Sequence, residues 1–276
     1  MNNNLQHKIN RAIRLLRSIP NNEPIELSYS AGKDSDVILQ LAKEAGINFR
    51  AIYRCTTIDP PGTIAHVKEM GVEIRKPKIT FADLMVKKGI PSRYFRFCCQ
   101  ALKEYKILDR AILGIRADES NARKKRYQEP ELCRVYNAKE KTRQYLPILD
   151  WTKEDVKAFI EDRKIKCAPV YYDEQGVFHV ERRLGCVCCV MASRKQRIAE
   201  FKKYPNMVKM YCNRGGQWLE NHPGSPSKQK FGDIYTLFVR TLFYDTNEEF
   251  EQARNGLFGN VNCKEFLEDY FNIKFK

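Results

Sequence analysis

The chain has 276 residues, 43% of them apolar and 30% charged, with 49 Lys/Arg against 34 Asp/Glu for a net charge of +15. Such a composition supports a packed core and excludes general disorder. No apolar run reaches the roughly 18–20 residues of a membrane span, and the opening MNNNLQHKINRAIRLLRSI lacks the apolar core of a signal peptide, so a cytoplasmic protein off the membrane is expected.

Leu5, Ile9, Ile13 and Leu16 recur on one helical face. Pro24–Tyr29 reads as a short buried strand, followed by the polar turn Ser30–Ser35. Val37, Ile38, Leu41, Ala42 and Ala45 then keep helical spacing and stop at Gly46. Phe49–Tyr53 is expected as a second strand, Thr63–Met70 as a helix, Val72–Ile74 as a third strand and Arg110–Ile115 as a fourth. Thr152 is a helix N-cap with Asp155 at N3. Strands alternating with helices predict an α/β fold, a doubly wound and mostly parallel sheet with ligands at the carboxyl ends of its strands. Gly215–Gly232, rich in Gly, Pro, Ser and Lys, reads as a surface loop or linker. Phe231–Phe243 and Glu248–Lys276 read as a small helical C-terminal appendage. The division expected is 1–214 for the α/β domain and 215–276 for linker and appendage.

Ser30-Ala31-Gly32-Lys33-Asp34-Ser35 stands between a strand and a helix. Backbone N–H groups in such a turn, together with the helix N-terminus, form an anion site. Gly32 allows close backbone approach, Ser30 and Ser35 offer hydroxyls, and Lys33 adds charge. This is not a Walker A loop, because Leu27 stands where that motif needs its first Gly. Arg116 and Arg123 follow a predicted strand end, and a guanidinium fork suits phosphate or sulfate oxygens. Asp118 and Glu119 are placed to orient those arginines or to ligate Mg²⁺. Asp59, just past the second strand, is a candidate for holding ribose or adenine, or alternatively caps a turn before Pro60 and Pro61.

Ten cysteines, two neighbouring pairs among them, fit disulfides poorly and suggest metal or redox chemistry in a reducing compartment. Cys98-Cys99 and Cys186-x-x-Cys189 supply four thiols, which suit a [4Fe–4S] cluster or tetrahedral zinc if the fold unites them. Cys188 is an alternative ligand to Cys189. Charge is concentrated nearby: between Glu181 and Arg214 there are nine Lys/Arg against two Asp/Glu. Arg182, Arg183, Arg194, Lys195 and Arg197 are therefore candidate nucleic-acid contacts, with Tyr204, Tyr211 and Trp218 as aromatics that could stack bases or fill a core.

SAGKDS resembles the SGGKDS signature of PP-loop ATP pyrophosphatases, with Ala31 in place of a Gly. Within that superfamily the chain is similar to the phosphoadenosine phosphosulfate (PAPS) reductase family. GIRADESNAR (Gly114–Arg123) resembles its G-x-R-x-x-E-S-x-x-R, and YLPILDWTKEDV (Tyr145–Val156) its Pro-[Leu/Ile]-x-x-Trp segment. VYYDEQGVFHVERRLGCVCC (Val170–Cys189) resembles its Tyr-Asp-x-Gly running into Gly-Cys-x-x-Cys, and FCCQALKEYK (Phe97–Lys106) the Cys-Cys motif of the iron–sulfur branch typified by adenylyl sulfate (APS) reductases.

The resemblance implies an adenine nucleotide α-hydrolase-like fold and an enzyme binding ATP or an adenine sulfonucleotide through Ser30, Gly32, Lys33, Asp34, Ser35, Asp59, Arg116, Glu119, Ser120 and Arg123. Lys33, Asp34 and Arg116 would be catalytic, with Mg²⁺ as a further cofactor. It implies a [4Fe–4S] cluster on Cys98, Cys99, Cys186 and Cys189, although Cys188 stands where those enzymes commonly have Pro. Reductases of this family need a late cysteine followed by Gly and His. Cys263 is the candidate here, but it lies in Val-Asn-Cys-Lys-Glu. The expectation is therefore ATP-dependent activation and sulfur transfer to a nucleotide or nucleic acid, DNA or tRNA, with a sulfur donor or thiol reductant as partner. The alternatives are an APS/PAPS reductase releasing sulfite, and a non-catalytic nucleotide-sensing or nucleic-acid-binding component.

Overall fold

The structure is a computed structural model that describes residues 3–20, 22–104, 108–135, 141–255 and 262–275. In chain order the elements are α1 (Asn3–Arg17), β1 (Ile25–Tyr29), α2 (Lys33–Ala45), β2 (Phe49–Arg54), α3 (Thr63–Glu69), β3 (Glu73–Arg75), α4 (Phe81–Lys88), α5 (Phe97–Leu102), β4 (Arg110–Leu113) and α6 (Asn121–Arg126). They continue with β5 (Glu131–Val135), β6 (Lys141–Tyr145), α7 (Lys153–Asp162), α8 (Arg194–Lys203), α9 (Pro205–Asn221), α10 (Pro226–Phe231), α11 (Ile234–Phe243), α12 (Asn247–Asn255) and α13 (Cys263–Phe271).

These elements form two compact units. One comprises residues 1–55, 59–76 and 104–185; the other comprises 56–58, 77–103 and 186–276. The first unit is the doubly wound α/β domain. Its six strands lie in the order β3-β2-β1-β4-β6-β5, all parallel except β5, which runs antiparallel to β6. Helices with one apolar face cover the sheet: Leu5, Ile9 and Leu16 of α1 and Val37, Ile38 and Leu41 of the crossover helix α2 join Leu27 and Ile112 in one core. The strand order reverses between β1 and β4, and at such a switch point the loops leaving two neighbouring strands splay apart to leave room for a ligand. Those loops are Ser30–Gly32 and Gly114–Arg116.

Thr152 and Asp155 form the expected reciprocal cap on α7: each side chain accepts the other's backbone N–H, at 3.2 Å and 2.8 Å. β5 and β6 carry too many charged residues (ELCRV, KTRQY) to announce themselves as strands, and β5 forms the sheet's edge.

The second unit is helical. α4, α5, α8, α9, α11 and α13 share a core of Phe81, Phe97, Phe201, Tyr211, Phe238, Leu267 and Phe271. Two sequence expectations are corrected here. The stretch from Gly215 is not a linker: α9 runs unbroken to Asn221, and Gly215 is buried where an added Cβ would lie 2.7 Å from Ile234 and 2.9 Å from Ile90. Nor do the compact units part at 214/215. Residues 186–214 pack with the C-terminal helices, because Phe201 meets Tyr211 and Phe238 edge-on and Tyr211 packs at a tilt against Phe238 and Phe81. The helix expected from Phe231 begins at Ile234, where Asp233 caps it by accepting the Thr236 N–H at 2.9 Å. Among the described residues no helix is long and apolar enough to cross a membrane.

Candidate active site

The Ser30–Ser35 turn leaves the C-terminal end of β1 with Ala31 at φ +60°, a left-handed conformation that the superfamily's usual Gly would adopt without strain. The Ser35 N–H and hydroxyl both donate to the Gly32 carbonyl, at 2.8 and 2.7 Å, and the Gly32 N–H lies 3.4 Å from Ser30 Oγ. Ser35 thus closes the turn with the hydroxyl that sequence reasoning offered to a ligand. Gly114 fixes the turn from the neighbouring strand: a Cβ there would lie 2.9 Å from the Asp34 carbonyl oxygen, so only a bare backbone fits.

Lys33, Asp34 and Arg116 are brought together. Arg116 is buried, and its Nε donates to Asp34 Oδ1 at 2.6 Å. Its Nη1 reaches Asp118 Oδ2 at 3.2 Å and the Trp151 carbonyl at 3.4 Å. Lys33 Nζ lies 3.4 Å from Asp34 Oδ2 and 5.3 Å from the centre of the Tyr171 ring. Asp34 therefore holds two cations side by side at the Ser30–Ser35 turn. Glu119 is the second organiser: it pairs with Arg123, lies 3.6 Å from Arg183, and accepts the Arg116 backbone N–H at 3.4 Å. Ser120 caps α6 by accepting the Arg123 N–H at 3.2 Å. Asp59 accepts from Tyr53 Oη at 2.7 Å and Cys55 Sγ at 3.2 Å.

Two features escaped the sequence reading. Tyr171 Oη accepts the Lys33 backbone N–H at 3.2 Å, so an aromatic plug sits against the turn. Behind α2, Asp36, His66 and Tyr29 form a buried triangle: His66 Nε2 lies 3.0 Å from both Asp36 Oδ1 and Tyr29 Oη. Burial pushes the Asp36 carboxyl above its ordinary value, and His66 and Tyr29 oppose that rise. Polar residues inside an otherwise apolar helix face were the available signal.

In the second unit Cys98, Cys99, Cys186 and Cys189 line one cavity, walled by Ile58, Phe81, Leu102 and Tyr211. Their charges are mutually felt. The Cys98 thiol is pushed up by its hydrogen bond to Cys99, by burial and by the other three thiols. Desolvation opposes the Lys103 ammonium, but the charge of Cys186 and a hydrogen bond to it, with Cys99 and Cys189, raise its pKa overall. Cys188 is not part of this group. At φ +56° its backbone turns the side chain into the helical core, beside Phe201 and Phe238, and its N–H donates to Glu200 at 2.7 Å. Among the described residues, no group of three or more His, Cys, Asp or Glu side chains is arranged to hold a metal ion.

Of the five candidate nucleic-acid contacts, two do not present a free fork to solvent. Arg197 is buried and donates to the Thr241 carbonyl at 3.2 Å, and Arg182 donates to the Tyr172 carbonyl at 2.5 Å. Arg194 pairs with Asp245 and lies 3.9 Å from Glu249. Arg183 and Lys195 are exposed. Tyr211 is core, as Tyr204 is in part. Cys263 opens α13 half-buried, and burial raises its pKa while Thr236 opposes the rise.

The chain is 35% identical over 153 residues to an uncharacterized 37.8 kDa protein of Escherichia phage 186, a match covering 50% of this chain and 43% of that protein. It is 28% identical over 186 residues to sulfate adenylyltransferase subunit 2 of Geotalea uraniireducens, covering 52% and 59% of the two chains. The chain thus spans about half the length of the curated relatives it matches. A solved phosphoadenylyl-sulfate (PAPS) reductase from Candida auris aligns with a TM-score of 0.43 at 16% identity, over 61% of this chain and 90% of that one. Residues 24–192 match the family model described as phosphoadenosine phosphosulfate reductase domain, a stretch that includes the turn, both arginines and all four cavity thiols; the chain belongs to that family.

Proposed function

We propose that this enzyme binds ATP or an adenine sulfonucleotide at Ser30–Ser35 and Arg116 and uses it in sulfur chemistry on a nucleotide or nucleic acid. The observation that carries the reading is the Lys33–Asp34–Arg116 cluster at the switch point of the sheet. The turn's N–H groups and the N-terminus of α2 receive phosphate oxygens. Lys33 and Arg116 counter the charge that builds when the nucleotide is attacked at a phosphorus atom. Asp34 fixes the guanidinium, and Glu119 anchors the backbone that carries it.

The cavity in the helical unit fits an iron–sulfur cluster by its donor chemistry: four thiols, an apolar wall and no carboxylate among its lining residues. Cys98, Cys99, Cys186 and Cys189 would hold a [4Fe–4S] cluster there, and such a cluster supplies a soft, redox-active centre for handling sulfur. The burial of Cys188 in the helical core, away from the four-thiol cavity, supports leaving it out of the ligand set. A DNA or tRNA acceptor and a sulfur donor or thiol reductant are the partners this reading requires, with Mg²⁺ as counterion to the nucleotide. The reductase alternative needs a thiolate nucleophile, and Cys263 is half-buried with a raised pKa, which favours the thiol.

Anaerobic assay of pyrophosphate release from ATP, with and without tRNA or DNA, tests the proposal, alongside iron and sulfide analysis. Acceptor-stimulated release is expected, and Lys33→Ala should weaken ATP binding at least tenfold. Sulfite release from APS or PAPS with thioredoxin would establish the reductase instead. Retained nucleotide binding with no turnover would favour the non-catalytic reading.

A further inference from the structure

Between Asp83 and Glu104 there are five basic residues and no acidic one. In the middle of this stretch stands Ser92-Arg93-Tyr94-Phe95-Arg96, in the turn that leads into α5 and the Cys98-Cys99 pair. Arg93, Tyr94, Phe95 and Arg96 are all exposed; Tyr94 is 101% exposed and Phe95 52%. The turn is held in shape by the Phe95 N–H donating to Ser92 Oγ at 3.1 Å and the Ser92 N–H to the Phe95 carbonyl at 3.2 Å. A second anchor joins it to the other cysteine pair: Arg93 donates to the Ala192 carbonyl at 3.0 Å. Met191, 47% exposed, sits in that same short turn after Cys189.

Positive charge accumulates around these aromatics. Arg197 is depressed by burial and then by the charges of Arg93 and Arg194, so the three guanidinium groups share one neighbourhood. Asp245 and Glu249 answer Arg194. Among the described residues Arg93, Arg96 and Lys195 have no carboxylate within ion-pair distance. Tyr94 stands wholly in water and Phe95, which meets Phe97 edge-on at 5.2 Å, is half exposed; aromatic surface is costly to leave in water, and here it is flanked by cations that no acid among the described residues neutralises. That pattern fits a ligand carrying flat apolar faces and a regular line of negative charge.

We propose that Arg93, Tyr94, Phe95 and Arg96, with Lys195, bind a single-stranded nucleic acid, its bases stacking on Tyr94 and Phe95 and its phosphates lying on the cations. Base–aromatic stacking tolerates any sequence because every base has a π-face, and guanidinium groups serve both phosphate and base. The proposal deepens the nucleic-acid reading above. It names the strand state of the acceptor and a surface that adjoins the cysteine pairs and shares only Lys195 with the basic residues singled out by sequence.

The test is fluorescence anisotropy of the full chain with fluorescein-labelled oligo(dT) and oligo(rU), the two separating a DNA from an RNA preference. The same sequence annealed into a duplex serves as comparison. Single strands should bind more tightly than the duplex. Tyr94→Ala with Phe95→Ala should weaken single-strand binding about tenfold or more. Arg96→Ala should lower the dependence of log affinity on log salt by about one. ATP affinity should stay unchanged in these variants, which separates failure of this surface from failure of the nucleotide site. Equal affinity for poly-glutamate, preference for duplex, or aromatic variants that bind as the wild type does would each overturn the proposal, the first pointing to an acidic protein as partner.

Discussion

Arg116 offers the sharpest test of how the nucleotide site is built. Replacing it with Met keeps most of its buried stem and deletes three contacts. Loss of the Trp151 carbonyl contact at 3.4 Å costs little, and loss of Asp118, 43% exposed, costs under about 1 kcal/mol. The 2.6 Å bond to Asp34 dominates: hydrogen bonds to charged groups contribute about 1.5–3 kcal/mol. Stranding a fully buried partner would cost about 3–5 kcal/mol, but Asp34 retains Lys33 at 3.4 Å and keeps some contact with water, so about 2–3 kcal/mol is expected. Urea unfolding of the wild type, Arg116→Met, Asp34→Asn and the double variant closes a double-mutant cycle. The double variant should be less destabilised than the sum of the singles by about 1.5–2.5 kcal/mol. Additivity within about 0.5 kcal/mol would refute the assignment of Asp34 as the group that fixes the guanidinium.

Gly114→Ala should displace the Asp34 carbonyl and with it the phosphate turn, so ATP affinity measured by calorimetry should fall at least tenfold while far-UV circular dichroism is retained. Cys99→Ser should bleach most of the visible absorbance of anaerobically purified protein, whereas Cys188→Ser should leave it; the reverse result would reassign the ligands. Asp155 tests pH linkage. Burial works against its charge, yet Lys8 and the Thr152 N–H outweigh it and hold the carboxyl below its ordinary value. A depressed folded pKa gives stability that is present above the unfolded value of about 3.9 and lost as pH falls through the folded one. The advantage of the wild type over Asp155→Asn, about 1–2 kcal/mol at pH 7, should therefore shrink below about pH 4, as read by urea midpoints.

The α/β unit was largely legible because its signals are local: apolar runs of strand length, a polar turn, and caps at Thr152 and Gly46. The same locality misled elsewhere. Gly215 reads as a loop residue, since nothing in its neighbours reveals that Ile90, 125 positions earlier, needs the space of its missing side chain. Arg197 counts toward a basic patch, but its burial against α11 is decided by partners from Phe238 to Leu242. Cys188 and Cys189 are equivalent in spacing from Cys186 to within one residue, and only a left-handed backbone at Cys188 separates them. Tyr171 lies in a quoted motif, but its hydroxyl contact with the Lys33 N–H depends on folding that joins positions 138 apart.

The interleaving of the two units bears on how the protein is made. Phe81, Leu84, Met85, Phe97 and Leu102 belong to a core whose other wall is supplied by Phe201, Tyr211, Phe238, Leu267 and Phe271. During vectorial synthesis the first set leaves the ribosome well before the second exists. At about 5–20 residues per second, the interval between Phe81 and Tyr211 is on the order of ten seconds. For that time a helix pair bearing bulky apolar groups has no native partner, while the sheet that surrounds it in sequence is being completed by β4 and β6. Fragments ending near residue 192, where the family likeness stops, would keep the Ser30–Ser35 turn yet leave that half-core permanently bare.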